Sequence, residues 1–231
     1  MKMPALIAGQ LSGVTAVAVV LLLSACAVKP PSPDWQMNAQ SAMDRSVSAY
    51  LSGNTRVEAL EFDKARSEIA RTGRPELMAR VELLRCAGRV ASLVFESCSG
   101  FEKLRPDANP PERAYADYLG ARLQPQDIGL LPPQQRAAAS ANADVTAVKS
   151  IADPLSRLVA AGVLFQSGQA SPAIMTLAVD TASHQGWRRP LLAWLLVQAR
   201  RAEQAGDLTE AERLRRRISL VQDSPATGPK P

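Results

Sequence analysis

Apolar positions recur every three or four residues along most of this chain, the spacing that gathers them on one face of an α-helix. Leu155, Leu158, Val159, Gly162 and Phe165 form one such stripe, and Leu208, Ala211, Leu214 and Ile218 form another near the end. No convincing two-residue alternation of the strand kind interrupts them. The punctuation agrees with the stripes. Asp153 before Pro154, and Ser171 before Pro172, set a capping side chain ahead of a first-turn proline, where a missing N–H costs nothing. Thr55-x-x-Glu58 and Asp207-x-x-Glu210 have capping-box spacing. Gly53, Gly73, Gly168, Gly186 and Gly206 stand where helices should stop. The pattern predicts an all-α body of about nine helices, over 34–52, 55–72, 75–95, 111–123, 133–149, 154–167, 172–185, 188–205 and 208–221. The segments 97–110 and 124–133 read as loops, and 223–231 as a frayed tail.

Two parts of the chain are alike at a constant offset. Ser52 and Ser167, Gly53 and Gly168, Arg74 and Arg189, Pro75 and Pro190, and Leu77 and Leu192 are identical. Each part reads as helix, glycine turn, helix, glycine turn, proline-started helix, the order expected of stacked hairpins that cannot bury their apolar faces alone. Ala199, Ala202, Gly206, Asp207, Glu210 and Ala211 fall at the spacing of the small residues, turn and second-helix alanine of the tetratricopeptide repeat, and Ala161, Gly168 and Ala173 do so less fully. The body therefore resembles a tetratricopeptide-like α-solenoid, which implies a long concave surface suited to an extended peptide or a partner helix. The early tryptophan and closing proline of that motif are absent, and Gly168 to Gly206 exceeds its 34-residue period. An irregular helical domain is the alternative.

The first 30 or so residues follow a different rule. After Lys2 an apolar run is unbroken over 14–23 except at Thr15. Gln10, Ser12 and Thr15 make the wider segment a poor match to the roughly 20 apolar residues of a spanning helix, whereas a cleaved leader needs about 7–15. Leu23-Ser24-Ala25-Cys26 resembles the lipobox of bacterial lipoproteins, and the chain as a whole resembles Gram-negative envelope lipoproteins. The resemblance implies cleavage before Cys26, a diacylglycerol on its sulfur and acylation (palmitate) of the new amino terminus. Ala27 in the following position, where an aspartate would imply retention in the inner membrane, implies the outer membrane. The expected organisation is a signal peptide over 1–25, a lipid-anchored, proline-rich tether over 26–33, a periplasmic helical-repeat domain over 34–222 and a disordered tail over 223–231. An uncleaved anchor helix is the rival.

Export changes the reading of the other cysteines. Setting Cys26 aside leaves Cys86 and Cys98, and an oxidising periplasm allows them one intramolecular pairing. A helix continued from Pro75 to Cys98 would hold them roughly 18 Å apart, beyond the Cα limit of about 7 Å. The pairing therefore requires the helix to end near Leu93–Phe95 or to break at Gly88. Two separately buried thiols are the alternative.

Candidate chemistry is sparse. The single histidine, His184, lies at a helix end, where its cation suits the negative end of the dipole, and nothing local supplies a nucleophile or orienting acid. One histidine and two paired cysteines leave no zinc constellation, and no phosphate-binding glycine loop is present, so neither a metal nor a cofactor is expected. Phe95-Glu96-Ser97 is similar to the Glu-Ser pair of lytic transglycosylases, which makes Glu96 the one nameable acid for a murein-cleaving enzyme, but the Gly-Leu-Met-Gln segment of that family is missing. Formal net charge is +5. The excess lies in 186–222, with eight arginines against four acids. Arg213, Arg215, Arg216 and Arg217 form a possible face for lipid headgroups, murein or an acidic partner. The bland reading pairs Glu212 with Arg216 and Glu210 with Arg213 on a solvated surface.

The expected role is a non-enzymatic outer-membrane lipoprotein acting as an adaptor for a periplasmic or outer-membrane protein. By analogy of architecture it would serve envelope assembly or secretion, with possible murein contact and no nucleic acid. A murein-acting enzyme using Glu96 and a murein- or lipid-binding structural lipoprotein are the alternatives.

Overall fold

Pro75-Glu76-Leu77 opens the helix around which the rest of the chain is arranged. In the computed structural model, which describes residues 32–140 and 143–224, this helix is the third of the body. In chain order the α-helices are α1 (Asp34–Ser52), α2 (Thr55–Ala70), α3 (Pro75–Ala91), α4 (Ser99–Glu102), α5 (Pro110–Leu119), α6 (Pro133–Arg136), α7 (Val145–Lys149), α8 (Pro154–Gln166), α9 (Pro172–His184), α10 (Arg188–Gln204) and α11 (Leu208–Asp223), with 3-10 turns at Arg105–Asp107 and Pro125–Leu130. The described residues are all-α and contain no strand. None of their helices is long and apolar enough to cross a membrane. The expected signal peptide, Cys26, most of the expected tether and all but the start of the expected tail lie outside the described residues.

The caps explain the boundaries. Asp153, Ser171 and Asp207 accept hydrogen bonds from the N–H groups of Ser156, Ile174 and Glu210, as their spacing predicts. The cap of α2 is Asn54 rather than Thr55: its side chain accepts from Val57, and Glu58 turns inward instead of closing a box. The five glycines predicted as stops all adopt positive φ, from 63° to 91°. Helix α3 stops at Ala91 because Leu93 turns left-handed at φ 58° and Val94 N–H closes back onto Arg89 O at 2.9 Å.

Three predicted helices differ from those observed, and the segment expected as a loop over 97–110 carries the short helix α4. The helix expected over 75–95 ends at Ala91. The one expected over 111–123 ends at Leu119, where Ala121 adopts φ 53°. The one expected over 133–149 is split into α6 and α7. Asp144 caps a new helix by accepting from Ala147 N–H, while Gln135, fully buried, accepts from Tyr118 Oη at 2.9 Å and donates to Ser156 O at 3.0 Å. Those bonds tie α6 to α5 and α8, so tertiary bonding overrides the helix propensity of the alanine-rich run.

Helices α1 and α2 form a hairpin, α8 to α11 follow one another as successive antiparallel neighbours, and α3 packs against α8, α5 and α2. Helix α1 also lies against α10. Arg189, at the start of α10, stacks over Tyr50 with its guanidinium carbon 4.2 Å from the ring centre, and donates to Tyr50 O at the end of α1 at 2.8 Å. The main core runs from α3 to α11 around Trp194, Leu158, Ile174 and Leu195. Trp194 Nε1 donates to Ala91 O, and its indole meets Phe165 edge-on at 5.6 Å. A smaller core holds Met43, Phe62, Ile69 and Val81 between α1, α2 and α3. Gly162 marks the crossing of α8 over α3, since a Cβ there would strike the Val90 carbonyl.

Candidate functional site

Four carboxylates are buried along the first half of the body, each held by an arginine from a neighbouring helix. Glu61 of α2 is held by Arg45 of α1 at 2.9 Å, and Glu58 of α2 by Arg85 of α3 through both oxygens, at 2.7 and 3.3 Å. Glu82 of α3 pairs with Arg66 of α2, and Glu112 of α5 with Arg80 of α3 at 2.6 Å. Arg85 also lies 4.1 Å above the centre of the Phe62 ring. A guanidinium suits this place because it bonds a carboxylate with a planar fork, stacks on an aromatic face and carries its charge with little hydration. Glu61 is further bonded by Lys64 at 2.8 Å; that bond first, with Arg45 beside it, holds its carboxyl below the usual carboxylate range.

The last pair of the row differs from the others. Pro110 and Pro111 open α5 and bring Glu112 into its first turn, where the positive end of the helix favours a carboxylate. Glu112 is 6% exposed; Oε1 takes Arg80, but Oε2 is buried without a hydrogen-bond partner among the described residues. Beside it opens a groove of about 360 Å³. Leu83 and Leu84 of α3, Tyr115 of α5 and the segment Leu130, Leu131, Pro132 form its walls. Arg136 Nε donates to Leu131 O at 2.9 Å and fixes that segment, leaving Leu131 buried and Leu130 39% exposed at the rim. Burial, with the charge of Asp153, pushes the Tyr115 hydroxyl far above its ordinary pKa, so it remains a neutral donor. Apolar walls with a few convergent polar groups are the usual make-up of a binding pocket.

Two other depressions are polar. One, of about 300 Å³, lies beside the disulfide and carries Arg66, Arg89, Lys103 and Arg122 against Glu82, Glu96 and Glu102. The other, about 460 Å³, runs along α9, α10 and α11 over Met175, Val179 and Leu214. Its rim sets Arg201, Arg213 and Arg217 against Asp180, Asp207 and Glu210.

The residues singled out in the sequence fall as follows. Cys86 and Cys98 form a disulfide with Cα atoms 5.9 Å apart, made possible by the left-handed turn at Leu93. Glu96 lies in the polar cleft with its side chain 60% exposed and paired to Arg89, whereas a glycoside-cleaving acid sits in an apolar pocket. His184 is exposed at the end of α9. Arg213 binds Glu210 through both nitrogens of its fork at 2.6 and 2.7 Å, as its spacing predicts. Arg215 reaches across to Glu203 of α10 at 2.6 Å. Arg216 and Arg217 make no ion pair among the described residues, so the expected Glu212–Arg216 pair does not form. Arg188 donates to Val221 O and Gln222 O near the end of α11, and Arg189 to Tyr50 O near the end of α1, so both cations meet the negative ends of helices. No group of three His, Cys, Asp or Glu able to hold a metal occurs among the described residues.

The groove was not read from the sequence. A signal was present: Leu130-Leu131-Pro132 puts two large apolar residues into a segment whose prolines mark it as a loop. Its partners on α3 and α5, however, are brought together by folding alone. No protein-family model, curated protein or solved structure matches this chain.

Proposed function

We propose that this protein is a non-enzymatic, lipid-anchored adaptor at the periplasmic face of the outer membrane, and that it binds a partner protein through the groove between α3, α5 and 130–132. The groove itself carries this reading: apolar walls, an exposed leucine at the rim and a buried carboxylate oxygen without a partner. Anchoring rests on Cys26 and its flanking residues. Several acyl chains would hold the body at the membrane where one chain gives only marginal binding. The finer architecture we propose is a tetratricopeptide-like set of helical hairpins. The two similar segments fold alike, with a glycine turn after the first and second helix of each. The contact of α1 with α10 joins hairpins that are distant in the chain, so the set would be closed rather than an open stack.

The exposure and pairing of Glu96 weigh against the murein-acting enzyme. For the arginine face, Arg216 and Arg217 remain as candidates for an anionic partner, while Arg213 and Arg215 are engaged by acids. The test is a photocrosslinking side chain at Leu130, and a second at Leu60 on α2, in the full lipidated chain in its own envelope. A defined protein captured from Leu130, lost with Cys26→Ala and not captured from Leu60, is the expected outcome. Capture of murein fragments alone, or loss of murein turnover in Glu96→Gln, would overturn the reading.

A further inference from the structure

Of the four carboxylates in the interhelix row, only Glu112 has an oxygen that is itself fully buried without a hydrogen-bond partner among the described residues, and Glu112 lines an apolar groove. A buried acceptor left without a donor costs about 1–3 kcal/mol, and more when the group is charged. Such groups in native proteins call for a missing partner. Its neighbour supplies the other half of a pattern. Arg80, which also lines the groove, spends Nε on Glu112 Oε1; its side chain is 62% exposed, and its remaining N–H groups make no hydrogen bond among the described residues. Beside an apolar slot there is thus one acceptor wanting a donor and one fork of donors wanting an acceptor. That combination is the complement of the N–H and C=O of one extended residue, which point the same way, with N–H to Glu112 and C=O to Arg80. A free amine would use only the first group and a carboxylate only the second. The walls carry no other charge, so the side chains flanking that residue's main chain should be apolar. About 360 Å³ is room for one or two large side chains. The terminal torsion of a glutamate is broad, so a small turn of the carboxylate presents the orphan oxygen to an occupant without moving α5.

We infer that the groove binds an extended peptide segment, seating an apolar side chain on Tyr115 and Leu131 and exchanging main-chain hydrogen bonds with Glu112 and Arg80. This rests on the groove proposed above and names its ligand class. The test uses the full lipidated chain in nanodiscs, titrated with acetyl-Leu-Leu-amide and with the same peptide N-methylated at its internal amide. The unmethylated peptide should bind, shifting the Tyr115 resonances, and methylation should weaken it about tenfold. Glu112→Gln, which keeps the shape but alters the acceptor, should reduce that difference. The methylation comparison needs only the wild-type chain, so a poorly folded variant does not spoil it. Equal affinity for the two peptides would overturn the inference. So would no binding of either, which would leave Glu112 satisfied by water alone. If Leu130 captures a protein while methylation has no effect, the adaptor reading stands and the main-chain recognition falls. Methylation-sensitive binding with no capture from Leu130 gives the reverse.

Discussion

Gly162 shows how much a single position can decide. It belongs to the apolar stripe of α8, yet it contributes no side chain, and its value lies in letting the backbone of α3 approach. A methyl group there meets the Val90 carbonyl, a backbone atom that cannot swing aside. Gly162→Ala should therefore destabilise the fold by about 1–3 kcal/mol, despite the better helix propensity of alanine. Equilibrium denaturation of the variant checks this; a gain in stability would mean that α8 and α3 cross more loosely. The stripe was legible from its spacing. The reason for the glycine was not, because the carbonyl it accommodates lies more than seventy residues away in sequence.

At the scale of elements, the segment after α3 shows what a covalent link adds. The chain turns left-handed at Leu93, runs back along α3 and is tied there by Cys86–Cys98. Closing a loop of this length contributes about 3 kcal/mol by restricting the unfolded chain. The paired variant Cys86→Ser/Cys98→Ser should lose roughly that amount in a denaturant titration, with helix content unchanged in the far ultraviolet. Reductant should lower the wild type to the same level and leave the variant where it is. The helix stop needed for the pairing followed from reach alone, since an uninterrupted helix would hold the sulfurs apart. The split of 133–149 into two short helices had no comparable signal. Gln135 is a good helix former whose side chain is claimed by Tyr118 and Ser156, and both partners come from other elements.

For the whole molecule, three carboxylates held by basic side chains, one in the buried row and two outside it, predict how stability depends on acidity. Bonds from Lys64 and Arg45 hold Glu61 below the ordinary carboxylate range; Arg105 does so for Glu102, and Arg213 for Glu210. A carboxyl whose folded pKa lies below its unfolded one contributes fully above the unfolded value. That contribution fades as pH falls through the folded value. The denaturation midpoint should be nearly level from about pH 7 to 5 and fall below about pH 4. A midpoint that rises on acidification would show that these pairs do not carry stability. The exposed pair at Glu210 should respond to salt more than those at Glu58 and Glu82, which are shielded from it.

What the sequence by itself determined is local. Stripe periodicity, caps within three residues and glycine stops are short-range rules, and the observed helices obey them to within a few residues over most of the body. The cysteine pairing belongs here as well once Cys26 is set aside, because a helix stop between Cys86 and Cys98 brings that one remaining pair within reach. Tertiary structure alone decided the rest. It set Arg80 of α3 beside Glu112 of α5, brought the Leu130–Leu131 pair over Leu83, and used Arg188 and Arg189 to cap helix ends rather than to form an open basic face. These are meetings of residues distant in sequence, and the partner of a charge or the wall of a groove carries no spacing of its own. A helix pattern shows which side of a residue faces inward, and packing chooses what it finds there.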